Sequence, residues 1–255
     1  MKTVLRPIIL RFDSLPSTNT EAARQAMQGA PEGLCVVARE QTEGRGRQQR
    51  VWISPLDAGL YFSMVLRPVR LRERAWPLLT LMAALAVGDA LIEICGLETD
   101  IKWPNDIMVD GRKLCGILAE TIETETGRAV VIGIGINLDD RAFPPELETV
   151  AASVSLATGK TPDAERLMQS LIRALFEHYE ILQAASGEEQ IISEWSRRSS
   201  YARNRLVRAT LATETFEGWT RGLEPDGALR VETSTGEIRI VRAGDITSMR
   251  VIGDE

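Results

Sequence analysis

One short polar segment brings three arginines and two glycines close together. Residues 41–50 are Gln-Thr-Glu-Gly-Arg-Gly-Arg-Gln-Gln-Arg. Arginine carries a fixed positive charge and forked N–H donors that fit carboxylates and phosphates, and glycine lets backbone N–H groups approach an anion closely. Taken alone, the segment fits either an anion-binding loop or an ordinary solvated basic loop.

A lysine stands at the end of an apolar stretch, directly before a rigid turn. Lys102 is followed by Trp103, Pro104, Asn105 and Asp106. Proline fixes its own φ and restrains the residue before it, so the turn would hold Lys102 in one direction. Such a lysine suits a catalytic cation. The alternative is a strand-end lysine that reaches solvent while Asn105 and Asp106 make the turn.

Two further apolar segments contain glycines where strands are expected. Residues 111–120 include Gly116, and residues 131–137 include Gly133 and Gly135. Glycine weakens a strand unless another group or a ligand comes close to the backbone. Asn137, at the end of the second segment, could face a nucleotide or simply make a strand-end hydrogen bond.

The familiar phosphate-binding and metal-binding motifs do not occur. Residues 159–161 match the end of a P-loop, but Val154 stands where its first glycine belongs. Residues 133–138 lack the third glycine of a dinucleotide-binding turn. His178 is the only histidine and has no partner histidine for a metal, so it is expected to be a surface or partly packed residue. No residue is assigned as a metal ligand.

Composition limits the class of protein. The 255 residues are 44% hydrophobic and carry a net charge of −6, which gives no general attraction to nucleic acid or to an anionic membrane. The apolar run over residues 78–87 is shorter than the ~20 residues that cross a bilayer, and the first twelve residues lack a signal-peptide core. Three separated cysteines are expected to be free thiols. These features predict a cytoplasmic protein without a membrane segment.

Hydrophobic periodicity and turn signals predict the elements that would position these residues. A capping box at Thr18 and Glu21 is expected to open a helix that ends near residue 28. Further helices are predicted over residues 73–94, 162–183 and 188–198. Strands are predicted over residues 10–12, 34–39, 60–66, 101–103, 107–109, 114–122 and 129–138, with a group of short strands after residue 200. The pattern is typical of an α+β protein: a mixed β-sheet with helices packed on one face, followed by a small β-barrel.

Taken in order, these motifs resemble those of the biotin–protein ligases of the single-function type. The resemblance rests on the order of several segments, each weak by itself: residues 17–19, Gln41 with residues 44–47 and Trp52, residues 102–106, residues 111–120, and residues 133–137. It implies a catalytic domain like that of class II aminoacyl-tRNA synthetases and biotin ligases over residues 1–200. It also implies an SH3-like β-barrel over residues 201–255.

The resemblance further implies a reaction. Such an enzyme forms biotinyl-5′-AMP from biotin and ATP with Mg²⁺, and then transfers biotin to a lysine of a biotin carboxyl carrier protein. Lys102 and Arg47 would be catalytic. The biotin site would comprise Ser17, Thr18, Asn19, Gln41, Gly44, Arg45, Gly46, Arg47 and Lys102. The nucleotide site would comprise Arg47, Arg50, Trp52, Asn105, Lys113 and Asn137.

Two alternatives and one departure accompany this hypothesis. A lipoate or octanoyl ligase of the same superfamily would need a pocket for an aliphatic chain. A sensor that binds biotin or nucleotide without turnover is suggested only by Gln49, where the family loop usually has glycine. If that position needs a positive φ, glutamine costs about 1–2 kcal/mol there. Specific DNA binding is not expected, because the ligase motifs begin at Asp13; the oligomeric state, a homodimer included, stays open.

Overall fold

The structure is a computed structural model that describes residues 7–140 and 143–252. Its helices are α1 (Thr18–Met27), α2 (Leu78–Cys95), α3 (Val154–Thr158), α4 (Ala164–Leu182) and α5 (Gly187–Arg198). Its first seven strands are β1 (Ile8–Leu15), β2 (Leu34–Gln41), β3 (Gly59–Leu66), β4 (Asp100–Lys102), β5 (Asp106–Val109), β6 (Arg112–Thr124) and β7 (Gly127–Asn137). The last five are β8 (Arg203–Leu211), β9 (Thr215–Leu223), β10 (Leu229–Glu232), β11 (Ile238–Val241) and β12 (Ile246–Val251).

A seven-stranded mixed sheet forms the centre of the protein. Its order is β1-β2-β3-β7-β6-β5-β4, and only β1 and β2 pair in parallel. The central strands β3 and β7 are almost continuously apolar because both of their faces are buried. This confirms the predicted α+β class with a mixed sheet.

Helices cover both faces of this sheet, so the expectation of helices on one face was wrong. Side chains of α2 and α4 pack with Phe62, Met64 and Ile132 on one face. Ala22 and Ala26 of α1 pack on the opposite face, against alternate residues of the same strands that include Val36, Val65 and Val131. A strand that is apolar at almost every position indicates two covered faces, and residues 60–66 of β3 have that pattern apart from Ser63.

The first helix begins differently from the predicted capping box. Ser17 is the N-cap, and its side chain makes no capping hydrogen bond. The Thr18 hydroxyl instead donates to Gln41 Oε1, and Glu21 pairs with Arg24. Local capping therefore gives way to contacts with β2, and that places residues 17–19 at one end of the sheet.

The long apolar helix α2 is the core of the larger unit. It starts after Pro77 rather than at residue 73, since Glu73–Ala75 form a separate 3-10 turn, and it ends at Gly96 with φ 63°. Among the described residues, Glu73–Cys95 alone are long and apolar enough to cross a membrane. Most of this stretch is buried within the protein, as in the core helix of a soluble protein.

The last five strands form a second, antiparallel sheet in the order β11-β10-β9-β8-β12. Val207, Leu229 and Val231 of this sheet belong to the same apolar core as α2. The indole N–H of Trp103 donates to Gly227 O at 3.0 Å, across the contact between the two sheets. The C-terminal sheet is thus packed against the turn that follows Lys102, and the division at residue 200 stays a prediction.

Candidate functional site

A cavity of about 570 Å³ opens at one end of the seven-stranded sheet. Its walls are the start of α1, residues 45–53, the turn between β4 and β5, and residues 246–250 of the C-terminal sheet. The cavity brings together nearly every residue predicted from the sequence: Ser17, Thr18, Asn19, Gln41, Arg45, Gly46, Arg47, Arg50, Trp52, Lys102, Asn105, Lys113 and Asn137. Gly44 alone of the predicted set is not on its lining; it borders a smaller pocket beneath residues 42–51.

One end of the cavity is lined with neutral polar groups in fixed directions. Gln41 Oε1 accepts from the backbone N–H of Thr18 at 2.8 Å and from its hydroxyl at 3.1 Å. Gln41 Nε2 donates to Ser54 Oγ at 2.8 Å. Ser17 is 3% exposed and makes no capping bond, so its hydroxyl is available to a ligand. These groups suit a compact polar ligand head that is itself neutral.

A second layer of polar side chains lies directly behind this end. Ser63 of β3 is fully buried, and its Oγ lies 2.8 Å from Thr18 Oγ1 and 2.6 Å from Asn19 Oδ1. Asn19 Nδ2 donates to Leu118 O at 3.3 Å and to Glu120 Oε2 at 2.9 Å. Ser63, Ser54 and Glu120 were not predicted from the sequence to have a role. A lone serine inside the apolar β3 was the available signal for Ser63.

The glycines inside β7 make room for two of the predicted site residues. A Cβ on Gly133 would lie 1.9 Å from Asn19 Oδ1, and one on Gly135 would lie 2.4 Å from Trp52 Nε1. Any larger residue would displace these side chains. The prediction that these glycines mark close approach is therefore confirmed, and the approaching groups belong to the protein itself.

The arginines of residues 45–50 all point at the cavity or its rim. Arg45 pairs with Glu120 Oε1 at 2.5 Å. Arg47 donates to Asn105 Oδ1 at 3.2 Å and to the carbonyl oxygens of Ala243 and Ile246. Burial lowers the pKa of the Arg47 guanidinium, an effect that the nearby carboxylate of Asp106 opposes. An arginine pKa is so high that the side chain remains charged.

The C-terminal sheet supplies further carbonyl acceptors for the same loop. Gln48 Nε2 donates to Ile246 O at 2.8 Å, and Arg50 donates to Thr247 O at 2.7 Å. Sequence reasoning did not find these contacts, because backbone carbonyls carry no residue-specific signal. The loop is held in place by the second sheet as well as by the first.

The opposite end of the cavity has a cationic and aromatic lining. Lys102 ends β4 at a level between the two ends of the cavity, is half-buried, and lies with Nζ 5.8 Å from the centre of the Tyr201 ring. Lys113 Nζ lies 2.6 Å from Asp106 Oδ1 and 5.3 Å from the Trp52 ring centre. Such a lining fits an aromatic ring with attached anionic groups.

Two asparagines fix backbone segments at this end. Asn105 Nδ2 donates to Ile117 O at 2.8 Å, and Asn137 Nδ2 donates to Ala152 O at 3.0 Å. The Oδ1 atom of Asn105 faces Arg47. The two amides therefore tie the turn after β4 and the end of β7 to their neighbours while they line the cavity.

Comparison with known proteins agrees with this geometry. The model of the biotin/lipoate A/B protein ligase family matches residues 11–137, and that of the biotin protein ligase C-terminal domain matches residues 204–247. The bifunctional ligase/repressor BirA of Bacillus subtilis is 39% identical over 93% of this chain and 73% of its own length. The chain belongs to the biotin/lipoate A/B protein ligase family.

Other relatives of this family are similar over nearly their whole length. A biotin–[acetyl-CoA-carboxylase] ligase of Paracoccus denitrificans is 34% identical, with 90% of this chain and 96% of the relative aligned. The biotin protein ligase from Aquifex aeolicus in complex with biotin and ATP superposes with a TM-score of 0.83 and 28% identity. That superposition covers 96% of this chain and 99% of the other. The resemblance found in the sequence and the predicted fold are therefore confirmed.

One position departs from the glycine that the family loop usually carries. Gln49 has φ 60°, and its neighbour Gln48 has φ 54°. Both lie in the left-handed region that glycine adopts without strain. Position 49 therefore has the positive φ at which glutamine is less favourable than glycine. Residues 48 and 49 carry backbone strain that opposes the ordered loop.

Replacing Gln49 with glycine is expected to make the loop more ordered. The change removes about 1 kcal/mol of strain, part of which is offset because glycine is more flexible when the loop opens. Trypsin should then cleave after Arg45, Arg47 and Arg50 about threefold more slowly. Gln49→Ala keeps the strain and serves as the control. Equal cleavage of the glycine variant and the wild type would contradict the expectation.

Proposed function

We propose that this protein is an ATP-dependent biotin–protein ligase that forms biotinyl-5′-AMP and transfers biotin to a lysine of a biotin carboxyl carrier protein. The observation that carries the proposal is the division of one cavity into a neutral polar end and a cationic, aromatic end. Biotin has a neutral ureido ring and an anionic carboxylate, and ATP has an aromatic base and phosphates. Both can lie in this cavity with the carboxylate and the α-phosphate meeting between the two ends.

The polar end would hold the ureido ring. The Ser17 hydroxyl, the Thr18 hydroxyl and the Gln41 amide provide donors and acceptors at a place that α1 and β2 fix. Buried polar groups that match a ligand give selectivity, because a ligand without those groups leaves them unpaired. An aliphatic dithiolane or octanoyl chain offers no such match, and this favours biotin over lipoate or octanoate.

The cationic residues between the ends would promote formation of the adenylate. A biotin carboxylate oxygen attacks the α-phosphorus, a C–O–P linkage forms, and the bond to the bridging oxygen of pyrophosphate breaks. Lys102 and Arg47 are both on the cavity wall and bring positive charge to two anions that otherwise repel each other. Arg45 and Gly46, together with Gly44 behind them, form the part of the loop that would cover the acyl linkage.

The remaining residues would bind the nucleotide. Trp52 offers an aromatic surface, Asn105 and Asn137 offer amide groups, and Arg50 and Lys113 offer charge at the rim. Trp52 Nε1 is buried against Gly135, so the proposed role of Trp52 rests on its ring and not on its N–H group. Stacking on an aromatic ring and charge-assisted bonds to phosphate are the usual means of nucleotide recognition.

The site also fits a magnesium ion bound together with phosphates. The described residues include no group of three acidic, histidine or cysteine side chains that would hold a metal alone. Magnesium bound with a nucleotide needs only one or two carboxylates besides phosphate and water. Asp106 and Asp139 lie on the cavity wall and would hold it. When bound, Mg²⁺ would neutralise charge on the departing pyrophosphate.

Transfer to the carrier would follow under the same loop. The amine of the carrier lysine attacks the biotinyl carbonyl carbon, an amide bond forms, and AMP leaves. The contacts of Arg47, Gln48 and Arg50 with the C-terminal sheet would keep the loop closed and exclude water until the carrier arrives. The proposal also includes a cytoplasmic location and the absence of specific DNA binding. The net charge of −6 favours the absence of DNA binding.

Biotin-dependent exchange of pyrophosphate into ATP tests the activity. The purified protein should exchange labelled pyrophosphate only when biotin and Mg²⁺ are present, because the exchange requires reversible adenylate formation. Titration calorimetry should show binding of biotin at least a hundredfold tighter than that of lipoate or octanoate. Binding of biotin without exchange would support the sensor alternative, and preference for lipoate would support the second ligase alternative.

A further inference from the structure

The loop that covers the cavity and the polar end of the cavity share one carboxylate. Glu120 of β6 accepts from Arg45 at 2.5 Å with Oε1 and from Asn19 Nδ2 at 2.9 Å with Oε2. Arg45 also donates to Thr20 Oγ1 at 3.3 Å. A carboxylate can accept on both oxygens at once, and no neutral side chain of this size can do so. Glu120 therefore joins the loop to the start of α1.

The amide of Asn19 is directed away from the cavity by this arrangement. Its Nδ2 donates to Leu118 O and to Glu120, and its Oδ1 faces the fully buried hydroxyl of Ser63 at 2.6 Å. Both N–H donors of the amide are thus used within the protein. Asn19 supports the polar end from behind more than it presents donors to a ligand.

Ser63 sets the direction of that amide. Because Ser63 Oγ–H can donate, the Asn19 oxygen faces β3 and the Asn19 nitrogen faces β6. The same Ser63 oxygen lies 2.8 Å from Thr18 Oγ1, which in turn lies 3.1 Å from Gln41 Oε1. Neither Ser63 nor Glu120 is on the lining of the larger cavity. Each of the two can therefore act on a ligand only through residues that line the cavity or through the loop.

We propose that Ser63 and Glu120 are positioning residues for biotin, and that they act as one unit through Asn19. Ser63 orients the Asn19 amide, Asn19 holds Glu120, and Glu120 holds Arg45 over the ligand. The inference rests on the proposed function, because it names residues behind the same biotin site. It predicts that a change at either residue weakens biotin binding with little effect on ATP.

Calorimetric and kinetic measurements on the full chain test this unit. Glu120→Gln places an amide N–H against either Arg45 or Asn19 and loses one of the two bonds, and Ser63→Ala removes the donor to Asn19. Each change should raise the Kd and the KM for biotin about tenfold, while kcat and the KM for ATP change less than twofold. The Kd of the double variant for biotin should be no more than about thirtyfold above that of the wild type, because both changes act through Asn19. Independent effects would instead multiply to about a hundredfold.

Matched controls separate positioning from general loss of structure. Glu123→Gln changes a carboxylate on the same strand, and Ser170→Ala removes a buried hydroxyl that donates to Glu93. Both controls should keep the biotin Kd of the wild type. An unchanged biotin Kd in Ser63→Ala and Glu120→Gln, a parallel change in the KM for ATP, or fully multiplicative effects would overturn the inference. Failure of the wild type itself to bind biotin would refute the proposed function instead.

Discussion

Replacing Lys102 with alanine is expected to lower biotin-dependent ATP–pyrophosphate exchange about a thousandfold. The lysine ends β4, where Trp103 behind it is anchored to Gly227 of the second sheet. Its ammonium group therefore has a defined place on the wall between the two ends of the cavity. A charge held in position before the reaction acts more strongly on the transition state than on the bound substrates. The loss should appear mainly in kcat, with the Kd for biotin changing only a few fold.

Lys160→Ala is the control for this variant. Lys160 is exposed and lies outside the cavity lining, so its removal should leave both exchange and thermal unfolding unchanged. Circular dichroism should show that Lys102→Ala unfolds within a few degrees of the wild type, because a half-buried strand-end lysine adds little to the core. Retention of more than a tenth of the exchange rate by Lys102→Ala would show that this residue is not the central cation.

Replacing Arg47 with alanine is expected to lower kcat/KM for ATP about a hundredfold. Arg47 is the only arginine of the loop whose guanidinium contacts both Asn105 and the C-terminal sheet. The variant would lose a preplaced charge and also a link that holds the loop closed, so the adenylate should escape into solution more often. Measuring free and bound biotinyl-5′-AMP after a single turnover separates the two effects.

The variant Arg47→Lys separates the contribution of the positive charge from that of the guanidinium geometry at this position. Lysine keeps one positive charge but has no planar fork of donors. The kcat/KM of Arg47→Lys for ATP should therefore be about tenfold higher than that of Arg47→Ala, while its retention of the adenylate should be almost as poor. Arg74→Ala, an exposed arginine outside the cavity, is the control that should behave as the wild type. A lysine variant as poor as the alanine variant would indicate that geometry alone is required, and that the charge of Arg47 does not act on the reaction.

The sequence was sufficient for most of the elements, although not for α3, and for the chemical types in the site. Local patterns predicted the order of strands and helices because apolar periodicity reports burial directly. The family-like motifs predicted which polar residues would meet, and thirteen of the fourteen different residues named for the site line one cavity. Their individual roles stay predictions.

The errors and omissions have physical causes. The capping box at Thr18 was wrong because the tertiary bond to Gln41 satisfies the hydroxyl that would otherwise cap the helix. Ser63 was missed because a single serine in an apolar strand is chemically unremarkable until its neighbours in space are known. The role of Gly44 stays a prediction; it lies off the lining of the larger cavity, and its missing Cβ leaves room for Trp52 O.

The loop meets the C-terminal sheet through main-chain oxygens of Ala243, Ile246 and Thr247. Such acceptors persist whatever side chains those positions carry, provided that the strand keeps its path. Substitutions of the side chains at these positions should therefore leave the place of the loop, and the chemistry next to it, unchanged.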